Sequence, residues 1–417
     1  MITINRNMKR LGLLAGCGLL LSVSASAQDE WVISAERVYS AAGDPIENGV
    51  VVVSGGKIAA VGKGAGAGER LEVFAITPGL IDLDPNIGTG SFSVEQGTET
   101  ALEYGVAEGL DLFSYKWGRH LRSGVTTVMA SPMDLNVIGG MCSVLKTGGE
   151  ATLEARQIHD QPGLRASLGT LPSRGNGAPR GVPRNMYIRR PTTRMGVEWV
   201  FRKAYYNAIN TQRFNLEVNE LEAERNAMVL RTIEDGLPVF MQAAGTQDVH
   251  TAVFLKQEFK IQNLVLMNAA EALLELELVA EAGVGVVLPA FPKEGRIPDP
   301  AVNDSFFMAL ESAAKLHARG VPIALSGGGS KSLEGRLNQQ PGYAMRGGLS
   351  FEAALAAVTI NPARMAGVDD RVGSIEVGKD ADLVLWSGPP FEPSSAVIGV
   401  LLNGELVLDP RTAQSAK

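Results

Sequence analysis

Cysteine is almost absent from this chain of 417 residues: only Cys17 and Cys142 occur. Two cysteines cannot make a disulfide framework, so packing alone must hold the fold, and the length is sufficient for that. Histidine is nearly as scarce, with four residues, and aromatic residues make up 6%. The longest apolar run, Leu11–Val23, is too short to span a bilayer, and no later segment approaches the required length. Positive charge is in deficit as well, with 38 Lys and Arg against 45 Asp and Glu, a net −7. That balance gives no electrostatic reason to expect nucleic acid as a partner. What remains is ordinary globular composition, 45% apolar and 20% charged, enriched in glycine with 48 residues.

Residues 1–27 read as an export signal rather than as part of the fold. Arg6, Lys9 and Arg10 form a positive start, Leu11–Val23 an apolar centre, and Ala25-Ser26-Ala27 a small-residue cleavage site. The expectation is a periplasmic or secreted protein. The alternative is a lipoprotein anchored at Cys17, because Leu14-Ala15-Gly16-Cys17 also places small residues before a cysteine. Cleavage after Ala27 removes three positive charges and no negative ones, taking −7 to −10 and leaving Cys142 as the only thiol.

Three regions follow. Residues 28–75 carry short strand patterns at Trp31–Ser34, Gly49–Ser54 and Lys57–Val61, with Ser54-Gly55-Gly56 as a hairpin turn. From 76 to 365 the rhythm becomes helix, glycine, apolar strand. Gly236 precedes Leu237–Met241, Gly283 precedes Val284–Leu288, and Gly320 precedes Val321–Leu325. Fully apolar strands suit a parallel sheet buried on both faces, and repeated units of this length fit a (β/α)8 barrel. From 366 to 417 short strands return at Ala381–Trp386, Ile398–Leu402 and Glu405–Leu408. The expected architecture is therefore α/β: a (β/α)8 TIM barrel, with both chain ends meeting in one small composite β-sandwich. Two separate β appendages are the alternative.

Several segments carry a family resemblance. Ile76-Thr77-Pro78-Gly79-Leu80-Ile81-Asp82 looks like the lead into a first barrel strand, and Ser123-Gly124-Val125-Thr126-Thr127-Val128 like a second. Asn136-Val137-Ile138-Gly139-Gly140 with Lys146-Thr147, and Pro191-Thr192-Thr193-Arg194-Met195-Gly196, are further motifs. Thr359-Ile360-Asn361-Pro362-Ala363 and Gly378-Lys379-Asp380-Ala381-Asp382 look like a return to the β domain. In this order the chain resembles the amidohydrolase superfamily, in particular its exported imidazolonepropionase-like branch. The resemblance implies hydrolysis of non-peptide carbon–nitrogen bonds, of cyclic-amide type, by zinc or another divalent ion at the barrel mouth. It also implies the metal's ligands: two histidines on the first strand, one each on the fifth and sixth, and an aspartate on the eighth.

Here the residues depart from that pattern. The two expected first-strand histidines are Asp84 and Asn86; the others fall on Gln242 and Asn268; the aspartate falls on Gly328, with Gly327 and Gly329 adjacent. One carboxylate, three amides and a glycine are a poor site for zinc, so no metal or other cofactor is expected. The histidines His120, His159, His250 and His317 all fall away from strand C-terminal ends, where a barrel places its chemistry. Asp84, two residues beyond Asp82, is the one retained carboxylate and the sole candidate for metal-free acid–base work. Lys146 follows an apolar strand and is expected to line the mouth. Cys142 reads as a small buried residue. Arg194 stands out from a basic cluster of Arg174, Arg180, Arg184, Arg189, Arg190, Arg202 and Lys203 because it belongs to a motif.

The functional expectation is an amidohydrolase-like protein that lost metal-dependent hydrolysis and serves as a binding or partner subunit. A vestigial pocket of Asp84, Asn86, Lys146, Arg194, Gln242, Asn268 and Gly328 would remain, able to take a small molecule. Partners would be a second copy or an active amidohydrolase relative. The alternatives are a hydrolase with a rebuilt site and an exported small-molecule-binding protein.

Overall fold

The computed structural model describes residues 30–64, 68–85, 87, 93–95, 97–173, 176, 190–291, 305, 308–328 and 336–411. Two sheets organise them. The first has seven strands: β1 (Trp31–Val38), β2 (Ile46–Ser54), β3 (Lys57–Gly62) and β4 (Glu69–Pro78) from the start of the chain, and three from its end. The second has eight: β5 (Leu80–Asp82), β6 (Val125–Ala130), β7 (Ile138–Lys146), β8 (Gln157–Ser167), β9 (Val239–Gln242), β10 (Leu264–Met267), β11 (Gly285–Leu288) and β12 (Ile323–Leu325). The chain then returns to the first sheet as β13 (Leu383–Trp386), β14 (Val397–Leu402) and β15 (Glu405–Leu408).

Both chain ends do meet, because β13 pairs antiparallel with β4. The result is one sheet in the order β15-β14-β13-β4-β1-β2-β3, where two facing sheets were expected. The sheet rolls on itself: the Ala381 N–H donates to the Gly56 carbonyl at 3.0 Å, tying the β2–β3 hairpin to the returning strand. Ile33, Val51, Val53, Ile76, Leu383, Leu385 and Leu401 fill the inside of the roll.

The eight-stranded sheet is a nearly closed barrel. Ile81, Met129, Cys142, Val144, Phe240, Val265, Met267, Val287 and Ala324 pack together inside it. The alternate residues, such as Leu80, Val128, Leu164, Met241 and Leu266, pack outward in the larger core that includes the helices. Gly79 sits at the junction of the two sheets, where a Cβ would lie 2.0 Å from Thr126 Oγ1, so only glycine lets β5 enter beside β6.

The barrel departs from the expected all-parallel order at one strand. β7 runs antiparallel to both β6 and β8. The cause is legible in the connection: residues 131–137 are too few for a crossover helix, so the chain doubles straight back. This reversal corrects the placement of Lys146. As the last residue of a reversed strand, it stands opposite Thr127, at the base of the barrel, and not at the mouth. There it is fully buried, 3.0 Å from Asp380 and paired with Asp382. Lys57 at 2.6 Å and Arg371 at 3.0 Å complete the shell around Asp380. Burial opposes the charge on Asp380, but the surrounding Lys146, Lys57 and Arg371 hold its carboxyl below the ordinary carboxylate range.

The motif Gly378-Lys379-Asp380-Ala381-Asp382 is thus a clasp between barrel and sheet. Lys146→Met should cost about 3–5 kcal/mol in urea denaturation, because two buried carboxylates lose their shared cation. A loss below about 1 kcal/mol would show that the clasp does not join the two units.

Candidate functional site

The mouth is formed where β5, β8, β9, β10 and β12 end. Asp82, wholly buried, closes the seam between the first and last strands. Its carboxylate accepts from Ser326 Oγ at 2.8 Å, the Gly327 N–H at 2.9 Å and the Asp84 N–H at 3.0 Å. Beside it, Ala357 and Val358 bridge the remaining gap: the Leu325 N–H donates to Ala357 and the Ile81 N–H to Val358. Burial raises the Asp82 carboxyl from 3.8 to about 6, more than its three donors lower it.

Asp84 turns into the mouth and gathers the neighbouring strands. Asn268 Nδ2 donates to its Oδ2 at 2.7 Å, with Asn268 in the left-handed conformation (φ +53°) that asparagine tolerates. Gly328 lies against its backbone: a Cβ there would sit 1.9 Å from the Asp84 carbonyl oxygen. No aspartate can occupy that position unless the strand end moves. Gln242, buried at the end of β9, accepts a hydrogen bond from Ser167 Oγ at 3.2 Å.

The residue that organises these groups is absent from the expected list. Arg165, on the inward face of β8, is 2% exposed. Its Nε donates to Asp134 Oδ1 at 2.8 Å, and its Nη2 to Asp134 Oδ2 at 2.9 Å and Asp84 Oδ1 at 3.2 Å. A fixed guanidinium therefore holds the carboxylate that stands at the first expected ligand position. Its third nitrogen, Nη1, is buried and has no hydrogen-bond partner among the described residues. Burial raises the Asp84 carboxyl as well, with Arg165 and Asn268 opposing.

A divalent ion does not fit this arrangement. Among the described residues no three His, Cys, Asp or Glu side chains converge in a way that could hold one. Of the carboxylates at the mouth, Asp84 and Asp134 are already paired with Arg165, and Asp82 is taken up by Ser326, Gly327 and the Asp84 N–H. The thiol of Cys142, inside the barrel, is pushed by burial to about 11, which leaves it protonated.

Of the seven residues expected in the pocket, Asp84, Asn268 and Gly328 come together and Gln242 lies on the adjacent strand end. Lys146 is at the opposite end. Arg194 begins the helix Arg194–Phe214 on the outside of the barrel and pairs with Asp248. Asn86 lies outside the described residues, as do Gly329, Arg174, Arg180, Arg184 and Arg189. The histidines are remote from the mouth. His120 is buried in the helix Lys116–Arg122, where burial lowers it to about 4, and neither ring nitrogen has a partner among the described residues. His159 contacts the Ala366 carbonyl at 3.1 Å, and His250 faces Glu275 at 2.8 Å. His317 lines a cavity of about 560 Å³ at the barrel base.

Arg165 could have been noticed as the lone charge in the strand Gly163-Leu164-Arg165-Ala166-Ser167-Leu168, on the inward period. Asp134, its partner, lies in a loop with no periodic signal.

Asp82 gives a pH signature. Unfolded, it releases its proton near 3.8; folded, near about 6. Between those values the native state binds the extra proton. Its contribution to stability is therefore full below about pH 4 and lost as pH rises through about 6, a swing of about 3 kcal/mol. The stability of the wild type relative to Asp82→Asn should fall over that interval in urea titrations. A difference that stays flat would remove the assignment.

Comparison with known proteins agrees with this geometry at the level of the fold. Residues 262–407 match the model of the amidohydrolase family. The crystal structure of an amidohydrolase from Thermotoga maritima MSB8 superposes with a TM-score of 0.79 at 28% identity, covering 91% of this chain and 100% of that one. An adenosine deaminase from Xanthomonas campestris with bound zinc shares the fold at a TM-score of 0.50 and 19% identity, covering 92% and 94%. Shorter similarities occur to the amidohydrolase tasK of Hapsidospora irregularis, 40% over 62 residues, and to the urease alpha subunit of Yersinia enterocolitica, 43% over 61. These stretches are 15% and 14% of this chain, and only 6% and 11% of the relatives' own lengths. Residues 262–407 are thus similar to the amidohydrolase family, and the chain shares the barrel fold of the amidohydrolase from Thermotoga maritima MSB8.

Proposed function

We propose that this protein keeps the amidohydrolase fold without metal-dependent hydrolysis, and acts as a binding or partner subunit. The observation that carries the reading is Arg165, locked between Asp84 and Asp134 where the family's metal would be held. A guanidinium cannot lower the pKa of a bound water as a metal does, so the nucleophile of the family reaction has no source here. A metal entering between the two carboxylates would have to displace a buried cation that makes three hydrogen bonds to them. Residues 1–27 would export the chain to the periplasm or the exterior, with Cys17 as the alternative lipid anchor. A second copy, or an active relative with intact ligands, is the partner this reading calls for.

Metal analysis by plasma mass spectrometry, on full-length protein purified from its exported compartment without chelator, tests the reading. Zinc, iron, manganese and nickel should all be far below one per chain, and added zinc should leave the melting temperature unchanged. Near-stoichiometric metal would overturn it.

A second reading has one observation behind it: burial holds the Asp84 carboxyl above the ordinary range, as an acid–base group requires. The hydrolases among the structural neighbours point the same way. The expected outcome is that the purified chain does not turn over cyclic amides. Turnover that Asp84→Ala abolishes would install Asp84 as the acid–base residue instead.

A further inference from the structure

We infer that two copies of this chain pair about a two-fold axis through the outer face of the helix Arg194–Phe214 and the turn and helix start that follow it. The inference rests on the partner-subunit part of the reading above, to which it gives a surface and an occupant.

Exposure singles out this face. Seven of the thirteen large apolar side chains exposed among the described residues lie between Met195 and Leu221, so that surface is gathered here rather than scattered. On the inner side of the helix, Val197, Phe201, Tyr205 and Ala208 are buried. On the opposite side Trp199, Lys203, Tyr206, Asn210 and Phe214 follow at intervals of three and four and are all exposed. The helix is apolar on two sides, and its own chain covers one of them. Every residue from Gln212 to Glu224 is exposed, through the turn with Leu216 and Val218 and into the helix Glu220–Glu234. Trp199, Leu216, Val218 and Glu222 belong to the lining of a cleft of about 610 Å³ walled by both helices.

Charge then selects the occupant. The helix Arg194–Phe214 carries Arg194, Arg202, Lys203 and Arg213 against Glu198 alone. Residues 215–224 carry Glu217, Glu220, Glu222 and Glu224 and no cation. The two sets stand side by side yet do not neutralise each other within the chain. Arg194 and Arg202 are paired with Asp248 and Glu258. Lys203 and Arg213 lie over the exposed rings of Trp199 and Phe214, at 5.1 and 5.3 Å from their centres. Neither they nor the four glutamates make an ion pair among the described residues. A two-fold axis turns this arrangement into complementarity: the cations of each copy meet the glutamates of the other, and every contact occurs twice. A partner surface of one sign would satisfy one set and repel the other.

Sedimentation velocity on the full-length protein tests the pairing. In low salt the wild type should be a dimer, and raising salt from about 0.05 to about 0.5 M should weaken it about tenfold as the charges are screened. Lys203→Glu with Arg213→Glu reverses the basic half of the face. Glu217→Lys, Glu222→Lys and Glu224→Lys together reverse the acidic half. Each variant should be monomeric where the wild type is dimeric. Their equimolar mixture should pair again, because an acidic face now meets a basic one. If a charge variant fails to fold by circular dichroism, Phe214→Ser with Leu216→Ser decides instead, and should weaken the dimer about tenfold or more.

A wild type that stays monomeric at every concentration, a dimer that survives both reversals, or folded variants that do not pair when mixed would overturn the inference. The metal count decides the metal-free reading separately. A metal-free monomer sinks this inference and leaves that reading with an active relative as partner. A metal-loaded dimer that the reversals split keeps the interface and sinks the metal-free reading.

Discussion

A cation sealed inside a protein is costly unless acceptors meet it, and carboxylates meet it most strongly. This barrel holds one at each end, and each is met by a pair of aspartates. At the base Lys146 is shared between Asp380 and Asp382, which come from the chain's return to the sheet. At the mouth Arg165 is shared between Asp84 and Asp134, which come from the loops after β5 and β6. The first pairing fixes how the sheet sits on the barrel. The second fixes how the strand ends converge, because Asp84 in turn holds Asn268 and leaves no room for a side chain at position 328.

The two clasps differ in what they leave over. The base is surrounded by further cations, Lys57 and Arg371, that satisfy Asp380 completely. The mouth ends with Nη1 of Arg165, which carries two N–H groups, unpaired among the described residues. A guanidinium is a directional donor with no Lewis acidity to offer, so a site built on it recognises oxygen without activating water. On the proposed reading, an arginine in place of a metal changes the kind of chemistry available, not just its rate. On that reading, a histidine introduced at 242 or 268 would not restore metal chemistry by itself, because Arg165 would still hold Asp84 and Asp134.

Much of the fold was legible because its signals are local. Glycines after helices and apolar strands announced the repeating units, and the short strands at each end pointed to a shared β domain, with two separate appendages as the alternative. Two features were not legible from periodicity. A reversed strand has the same alternation as a parallel one, so β7 kept its pattern while Lys146 moved to the far end of the barrel. The sheet's rolling into one curved layer depends on cross-chain contacts such as Gly56 with Ala381, which no window of sequence contains. At the site, Asp84, Asn268 and Gly328 could be placed by resemblance because strand ends have fixed positions in a barrel. Arg165 could not, because the resemblance gives its position no ligand role and its partner Asp134 is in a loop.

Whether such a mouth is a relic or a rebuilt site turns on what relaxation would have done to it. A ligand set lost without replacement leaves carboxylates facing each other in a buried space, and nothing in that favours keeping a long charged side chain among them. Solvation and neutral substitutions are the easier outcome, since buried ion pairs rarely gain stability over apolar packing. This mouth instead has a bidentate arginine–carboxylate pair, a second carboxylate bridged to an asparagine, and a glycine fitted against the backbone of Asp84. Each of those contacts constrains the next, and together they hold one buried donor without a partner. A donor buried in this way is costly unless an acceptor completes the network.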